Sequence, residues 1–222
     1  MARAVMRPAP LLRHRARALS SVATAAESPL AAPPPALPPA DEFERLTPVE
    51  HVLRRPGMYI GSTSQQIEPI WLYDEFTRQM VFKEARYIPG LYKIFDEILV
   101  NALDNRQRDP LTDAIDVSIE PKSGTISVTN NGAGIPVRRH ATEDVWVPEM
   151  VLGSLYTGSN FDDAQQRTVG GRHGFGAKLT NLFSSEFAVS TADEQAGKVF
   201  TQRWASNMSE RHEPVVADLQ PG

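Results

Sequence analysis

The segment from Pro89 to Gln107 constrains the fold more than any other part of the chain. Pro89-Gly90 breaks whatever precedes it. Leu91, Ile94, Phe95, Ile98, Leu99, Ala102 and Leu103 then recur at helical spacing and make one broad apolar face. A helix with that much apolar surface must lie on a sheet or on other helices. The next residues supply the sheet. Ile115, Val117 and Ile119 alternate with polar residues, Pro121-Lys122-Ser123-Gly124 turns, and Ile126 and Val128 alternate again, the pattern of a β-hairpin. Further on, Pro148–Tyr156 reads as a helix, Thr157–Gly176 as a long Gly-rich loop and Ala177–Phe183 as another helix. Phe187–Ser190 and Lys198–Trp204 read as strands, and no periodicity marks the last ten residues. Upstream, Thr47-Pro48-Val49-Glu50 is a capping box with Pro at the first helical position. Arg55-Pro56-Gly57 is a turn, Met58–Gly61 a short extended piece and Trp71-Leu72-Tyr73 a strand. The order implies an α+β fold, a mixed sheet with helices on one face.

Charge divides the chain in two. Residues 1–40 hold Arg3, Arg7, Arg13, Arg15 and Arg17 against the single acid Glu27, a net charge of +4 within a chain of net −4. The part from Asp41 onward is therefore at −8. An unaided acidic domain is a poor ligand for DNA, where affinity comes from neutralised phosphates. The first 40 residues also take eight of the 18 prolines. Met1–Val22 is expected to wind into a basic amphipathic helix of the organelle-transit kind, and Pro29–Pro39 to form an extended linker. The mitochondrion or another DNA-containing organelle is the expected destination, with the nucleus as the alternative. The absence of cysteine excludes disulfides, thiolate metal sites and a thiol nucleophile. No apolar run is long enough to span a membrane.

Three constellations carry chemistry. On the Pro89 helix, Glu97, Asn101 and Asp104 fall at i, i+4 and i+7, opposite the apolar face. That is the arc of an ordinary solvated helix face. It also places a carboxylate able to activate water one turn from an amide oxygen able to bind Mg²⁺ without adding charge beside phosphates. The second is Asn130-Asn131-Gly132-Ala133-Gly134-Ile135-Pro136, directly after a strand. It is a tight turn, or a backbone approaching a flat ring whose edge Asn130 reads, with Gly132 and Gly134 leaving room. The third is Gly170-Gly171-Arg172-His173-Gly174-Phe175-Gly176-Ala177-Lys178. It is neither a Walker A loop nor G-x-G-x-x-G. Its glycines let backbone N–H groups converge on an anion, a helix opens at Ala177, and Lys178 adds a charge.

Taken together and in this order, these motifs resemble the GHKL (Bergerat-type) ATP-binding class, which includes gyrase B, MutL, the large heat-shock chaperones and histidine kinases. Pro89–Asn105, Gln107-Arg108-Asp109-Pro110, Trp71-Leu72-Tyr73-Asp74, Ser159–Asp163 and Gly170–Leu179 are similar to the eukaryotic DNA topoisomerase II family. Asn130, where most of the class has Asp, points the same way. The resemblance covers about residues 43–210 of the 222. It implies Glu97 as the general base, Asn101 as the Mg²⁺ ligand and Asn130 as the adenine contact. Gly158, Ser159 and Asn160 fall where a lid meets ribose and phosphate. Gly171, Arg172, His173, Gly174, Phe175, Gly176, Ala177 and Lys178 are expected around the triphosphate of ATP. It also implies an ATP-dependent dimer with a second copy of the chain, acting as a gate for duplex DNA. Gly158, His173 and Phe43 depart from the family's usual Ser, Asn and Tyr. Arg55–Gly61 is more like the bacterial enzymes. Residues 41–222 are expected to hold an incomplete GHKL domain that lacks the DNA-cleaving Tyr and ends on an unpaired strand edge. A phosphate-facing Lys of a following domain is also missing, so weak turnover is expected of the chain alone. The alternatives are a GHKL nucleotide switch that cuts nothing, and an ATPase of the mismatch-repair or chaperone kind.

Overall fold

The structure is a computed structural model that describes residues 2–9, 44–155 and 174–220. Its centre is one antiparallel sheet. In chain order the strands are β1 (Ala2–Pro8), β4 (Ile115–Glu120), β5 (Thr125–Asn130), β6 (Ser184–Asp193), β7 (Lys198–Ala205), β8 (Glu210–Arg211) and β9 (Val215–Asp218); β2 (Gln66–Asp74) and β3 (Gln79–Tyr87) form a separate hairpin. Across the large sheet the order is β4-β5-β1-β6-β7, with β8 and β9 both on the outer edge of β7. The helices are α1 (Pro48–Arg54), α2 (Pro89–Arg108), α3 (Val147–Gly153) and α4 (Gly176–Leu182), with a 3₁₀ turn at Pro56–Met58.

The local signals work as written. Thr47 Oγ1 accepts from the Glu50 N–H while Glu50 Oε2 accepts from the Thr47 N–H at 2.8 Å, so the capping box is complete. Pro89 stands at the start of α2, where its missing N–H costs nothing. Gly124 takes φ +65° in the β4–β5 turn and Gly197 takes φ +61° in the β6–β7 turn, a region that favours glycine. The core lies between α2 and the sheet. Ile98 and Ala102 meet Ile126, Val128, Val189 and Phe200, and Phe187 faces Trp204 across the β6–β7 ladder at 6.0 Å between ring centroids. A second cluster, Val52, Ile60, Ile94, Leu179, Leu182 and Phe183, ties α1 and α4 to the first half of α2.

Four expectations need correction. Residues 1–40 are not wholly an unpacked leader, and Ala2–Pro8 is not helical. It is the strand between β5 and β6, antiparallel to both. Ala4 and Met6 point into the core and Met6 is 1% exposed, while Arg3 and Arg7 stay on the other side. These residues do alternate at period 2, and the Arg-rich composition masks it. Second, the sheet is not mixed: every neighbouring pair is antiparallel. β5 and β6 run the same way, and β1 reverses between them. Third, the edge of β7 is not bare, because the last residues return as β8 and β9 and pair with it. Fourth, Met58–Gly61 is not an extended piece: Met58 closes the 3₁₀ turn Pro56–Met58, and Tyr59 and Ile60 continue it as a hydrogen-bonded turn.

The strand at Trp71 has a partner that periodicity did not show. β3 pairs with β2 over nine positions. Ile67, Trp71, Tyr73, Met80 and Phe82 share an exposed face, so no apolar alternation marks a buried side.

Met6→Ala should lower the unfolding free energy by about 2–5 kcal/mol, the usual cost of truncating a buried Met. Urea denaturation of the full chain measures it. An unchanged midpoint would show that β1 contributes nothing to the sheet.

Candidate functional site

The site is a cavity of about 1010 Å³ between α2, the loop after β5 and the start of α4. Its size suits a nucleotide rather than a small ion or a metabolite fragment. Glu97, Asn101, Asn130, Gly174–Lys178 and Asp104 all line it. Motifs far apart in sequence thus share one wall. Gly158, Ser159, Asn160, Gly171, Arg172 and His173 lie outside the described residues.

On α2, the polar arc faces this cavity and not bulk water. Glu97 is part-buried and its Oε1 pairs with Lys93 Nζ at 2.5 Å, one turn back. That bond, more than the neighbouring charge of Asp96, holds the Lys93 ammonium above its ordinary range. Asn101 is exposed to the cavity, whereas Asp104 is only 5% exposed. The expectation of a shared solvated arc fails at Asp104. The apolar face fails at Leu103, which is half exposed. Its neighbours Ala102 and Asp104 stay buried, so the core-facing side of α2 at this point is narrower than the periodicity suggests.

Asn130 ends β5 and is buried. The loop after it is clamped from two sides. From the α2 side, Asn105 Nδ2 donates to Asn130 Oδ1 at 3.1 Å and to the Ala133 carbonyl at 3.0 Å. Asp109 Oδ2 accepts from the Ala133 N–H at 2.7 Å, and Asn131 Oδ1 accepts from the N–H groups of Asp113 and Ala114. From the β6 side, Thr191 Oγ1 accepts from the Ile135 N–H at 2.8 Å and Asp193 Oδ2 from the Val137 N–H at 2.9 Å. N–H donors hold both carboxylates below the usual range: chiefly Ala133 for Asp109, and Ala196 then Val137 for Asp193.

The sequence suggests that Gly132 and Gly134 make room for a ring. The structure gives them another task. A Cβ on Gly132 would meet Thr112 Oγ1 at 1.7 Å, and one on Gly134 would meet the Ala192 carbonyl oxygen at 2.1 Å. The glycines let the loop press against its own protein neighbours, and so hold Asn130 in place.

At the third motif, α4 begins at Gly176, whose Cα packs on the catalytic candidate: a Cβ there would lie 1.9 Å from Glu97 Oε2. Lys178 is 1% exposed and its Nζ donates to the Gly174 carbonyl at 2.6 Å. Desolvation pushes its ammonium down to about 8. Sequence reasoning missed Asn105, Asp109, Asp113, Thr191 and Asp193, which hold the loop, and also Arg108 at the cavity wall. One signal was available: Asn105 stands four residues after Asn101, on the same side of the helix. Among the described residues no three acidic or histidine side chains gather to hold a metal, and no helix is long and apolar enough to cross a membrane.

Comparison with known proteins agrees with this geometry. Residues 87–206, more than half of the chain, match the family model "Histidine kinase-, DNA gyrase B-, and HSP90-like ATPase". DNA topoisomerase 2 of Saccharomyces cerevisiae is 46% identical over 183 residues, which is 82% of this chain and 13% of that protein. DNA topoisomerase 2 of Pisum sativum is 49% identical over 174 residues, 78% of this chain and 12% of that protein. The chain thus spans about an eighth of the length of these relatives. Among solved structures, the ATPase and transducer domains of DNA topoisomerase II from Balamuthia mandrillaris superpose with a TM-score of 0.80 at 52% identity, covering 83% of this chain and 47% of that one. The ATPase region of Saccharomyces cerevisiae topoisomerase II gives 0.79 at 47% identity, covering 82% and 48%. The chain belongs to the histidine kinase-, DNA gyrase B- and HSP90-like ATPase family, in its eukaryotic DNA topoisomerase II branch.

Proposed function

We propose that this chain binds and hydrolyses ATP as the gate of a type II DNA topoisomerase, where closure of two copies on ATP is coupled to passage of one duplex through another. The observation that carries the reading is the single cavity wall shared by Glu97, Asn101, Asn130 and Lys178. Glu97 takes a proton from the attacking water, and Lys93 pins its carboxylate in one rotamer. Asn130 meets the base edge. Lys178 and the backbone of Gly174–Ala177 face the phosphates. Asn101 is the protein ligand for Mg²⁺. A lone neutral amide fits an octahedral ion that draws its other ligands from phosphates and water. When bound, that ion neutralises phosphate charge. Duplex DNA as a partner is supported by the relatives' names alone, and the second copy by the family resemblance alone.

The ammonium of Lys178 gives the test. Its value of about 8 means that the free site loses this proton just above neutrality. A phosphate anion favours the charged form, so binding takes up the proton. Affinity for Mg·ATP should therefore be flat below pH 8 and weaken above it, by up to about tenfold per pH unit. Lys178→Ala should bind weakly and without that pH dependence. Calorimetric titration of the full chain between pH 6.5 and 9.5 measures both, and sedimentation of the same samples reads nucleotide-dependent dimerisation. Wild-type affinity that stayed level to pH 9.5 would remove Lys178 from the phosphate site.

A further inference from the structure

The amide of Asn130 has two orientations that differ in polarity, and its neighbours select one. Asn105 Nδ2 touches both the Ala133 carbonyl, at 3.0 Å, and the side-chain amide of Asn130, at 3.1 Å. A backbone carbonyl only accepts. It therefore fixes the NH₂ side of Asn105 toward the loop, and the second N–H of that group must meet an oxygen. Asn130 accordingly turns Oδ1 to α2 and Nδ2 the other way. One backbone carbonyl orients two amides in series. Asn130 is 8% exposed, so water does not readily take over this bond.

The consequence concerns the base. Along the edge formed by position 6 and N1, adenine offers a donor and then an acceptor, and guanine offers an acceptor and then a donor. With Oδ1 held to α2, the group left for the base is the donor Nδ2, which set against position N1 complements the acceptor of adenine and opposes the N1–H of guanine. An amide free to turn over serves both. We propose that Asn105 is a positioning residue for nucleobase selection, which locks the Asn130 amide and thereby gives the site its preference for adenine over guanine. This rests on the reading that a purine nucleotide meets Asn130. Asn105 itself need not touch the ligand.

The test is a cycle on the full chain, reading the ratio of Mg·ATP to Mg·GTP affinity for wild type, Asn105→Leu, Asn130→Asp and the double variant. A carboxylate at position 130 has the same atom on both sides, so it has no orientation to lose. Asn105→Leu should lower the ratio about tenfold when residue 130 is the native asparagine, and less than about twofold when it is combined with Asn130→Asp. An unchanged ratio beside the native asparagine overturns the inference. So does an equal fall in both settings, because simple loosening of the loop at Ala133 acts regardless of residue 130. Asn105→Asp is the near-isosteric second variant should the leucine protein fail to fold. Its carboxylate accepts, so Asn130 turns Nδ2 toward it and the preference should move toward GTP. A wild-type preference in Asn105→Asp overturns the inference as well. A wild-type chain that bound neither nucleotide would instead overturn the reading of the whole site.

Discussion

Glu97→Gln should leave Mg·ATP affinity within a few-fold of wild type and lower single-turnover hydrolysis by about 10²–10⁴-fold, the usual contribution of a general base. The amide has nearly the same shape as the carboxylate. It still fits beside Gly176, whose Cα leaves no space for a larger group against Glu97 Oε2. It keeps a hydrogen-bonding partner for Lys93 but loses the ion pair. What it cannot do is take a proton from water. The partially exposed position of Glu97 at the cavity wall suits that role, since a base must reach both solvent and ligand. Quench-flow of the full chain with labelled ATP, alongside equilibrium binding, separates the two effects. Lost affinity with unchanged turnover per bound nucleotide would assign Glu97 to binding and leave the base unidentified.

Gly134→Ala should destabilise the chain by about 3 kcal/mol, at the upper end for one added methyl group in a packed site. The new Cβ would sit 2.1 Å from the Ala192 carbonyl oxygen and 2.4 Å from Thr191 Oγ1. Neither neighbour yields easily. Ala192 is held in the β6–β7 ladder opposite Val199, and Thr191 is fully buried and already accepts from the Ile135 N–H. The loop must move instead, and Asn130 with it, so nucleotide affinity falls together with stability. Gly57→Ala is the control, since a Cβ there meets nothing within 4 Å. Urea midpoints of the two variants decide the matter. Equal midpoints would show that the loop does not press on β6 as the structure has it.

The two halves of the site were legible to different degrees. Glu97, Asn101, Asn130 and Lys178 stood out because each combined an unusual residue type with a local pattern: an amide within a helix, an Asn-Gly run after a strand, a lysine ending a glycine loop. The residues that hold them were not legible. Asn105, Asp109 and Asp113 act on a loop 18–28 residues away, and Thr191 and Asp193 act on it from 56 residues away. No local pattern announces a contact of that separation.

The sequence by itself determined the periodic elements whose apolar faces are buried: α2, the β4–β5 hairpin, the β6–β7 pair, and the capped start of α1. It determined them because helix and strand periods, caps and turn glycines act within a few residues. Only the tertiary structure decided the rest. It placed Ala2–Pro8 in the gap between β5 and β6, where two strands running the same way leave both edges open to a reversed partner. It folded β8 and β9 back onto β7, and it turned the polar arc of α2 into a cavity wall. Backbone hydrogen bonds to a distant edge are available to any extended segment, whatever its composition. Which segment takes them depends on the edges left unpaired once the rest of the sheet has formed.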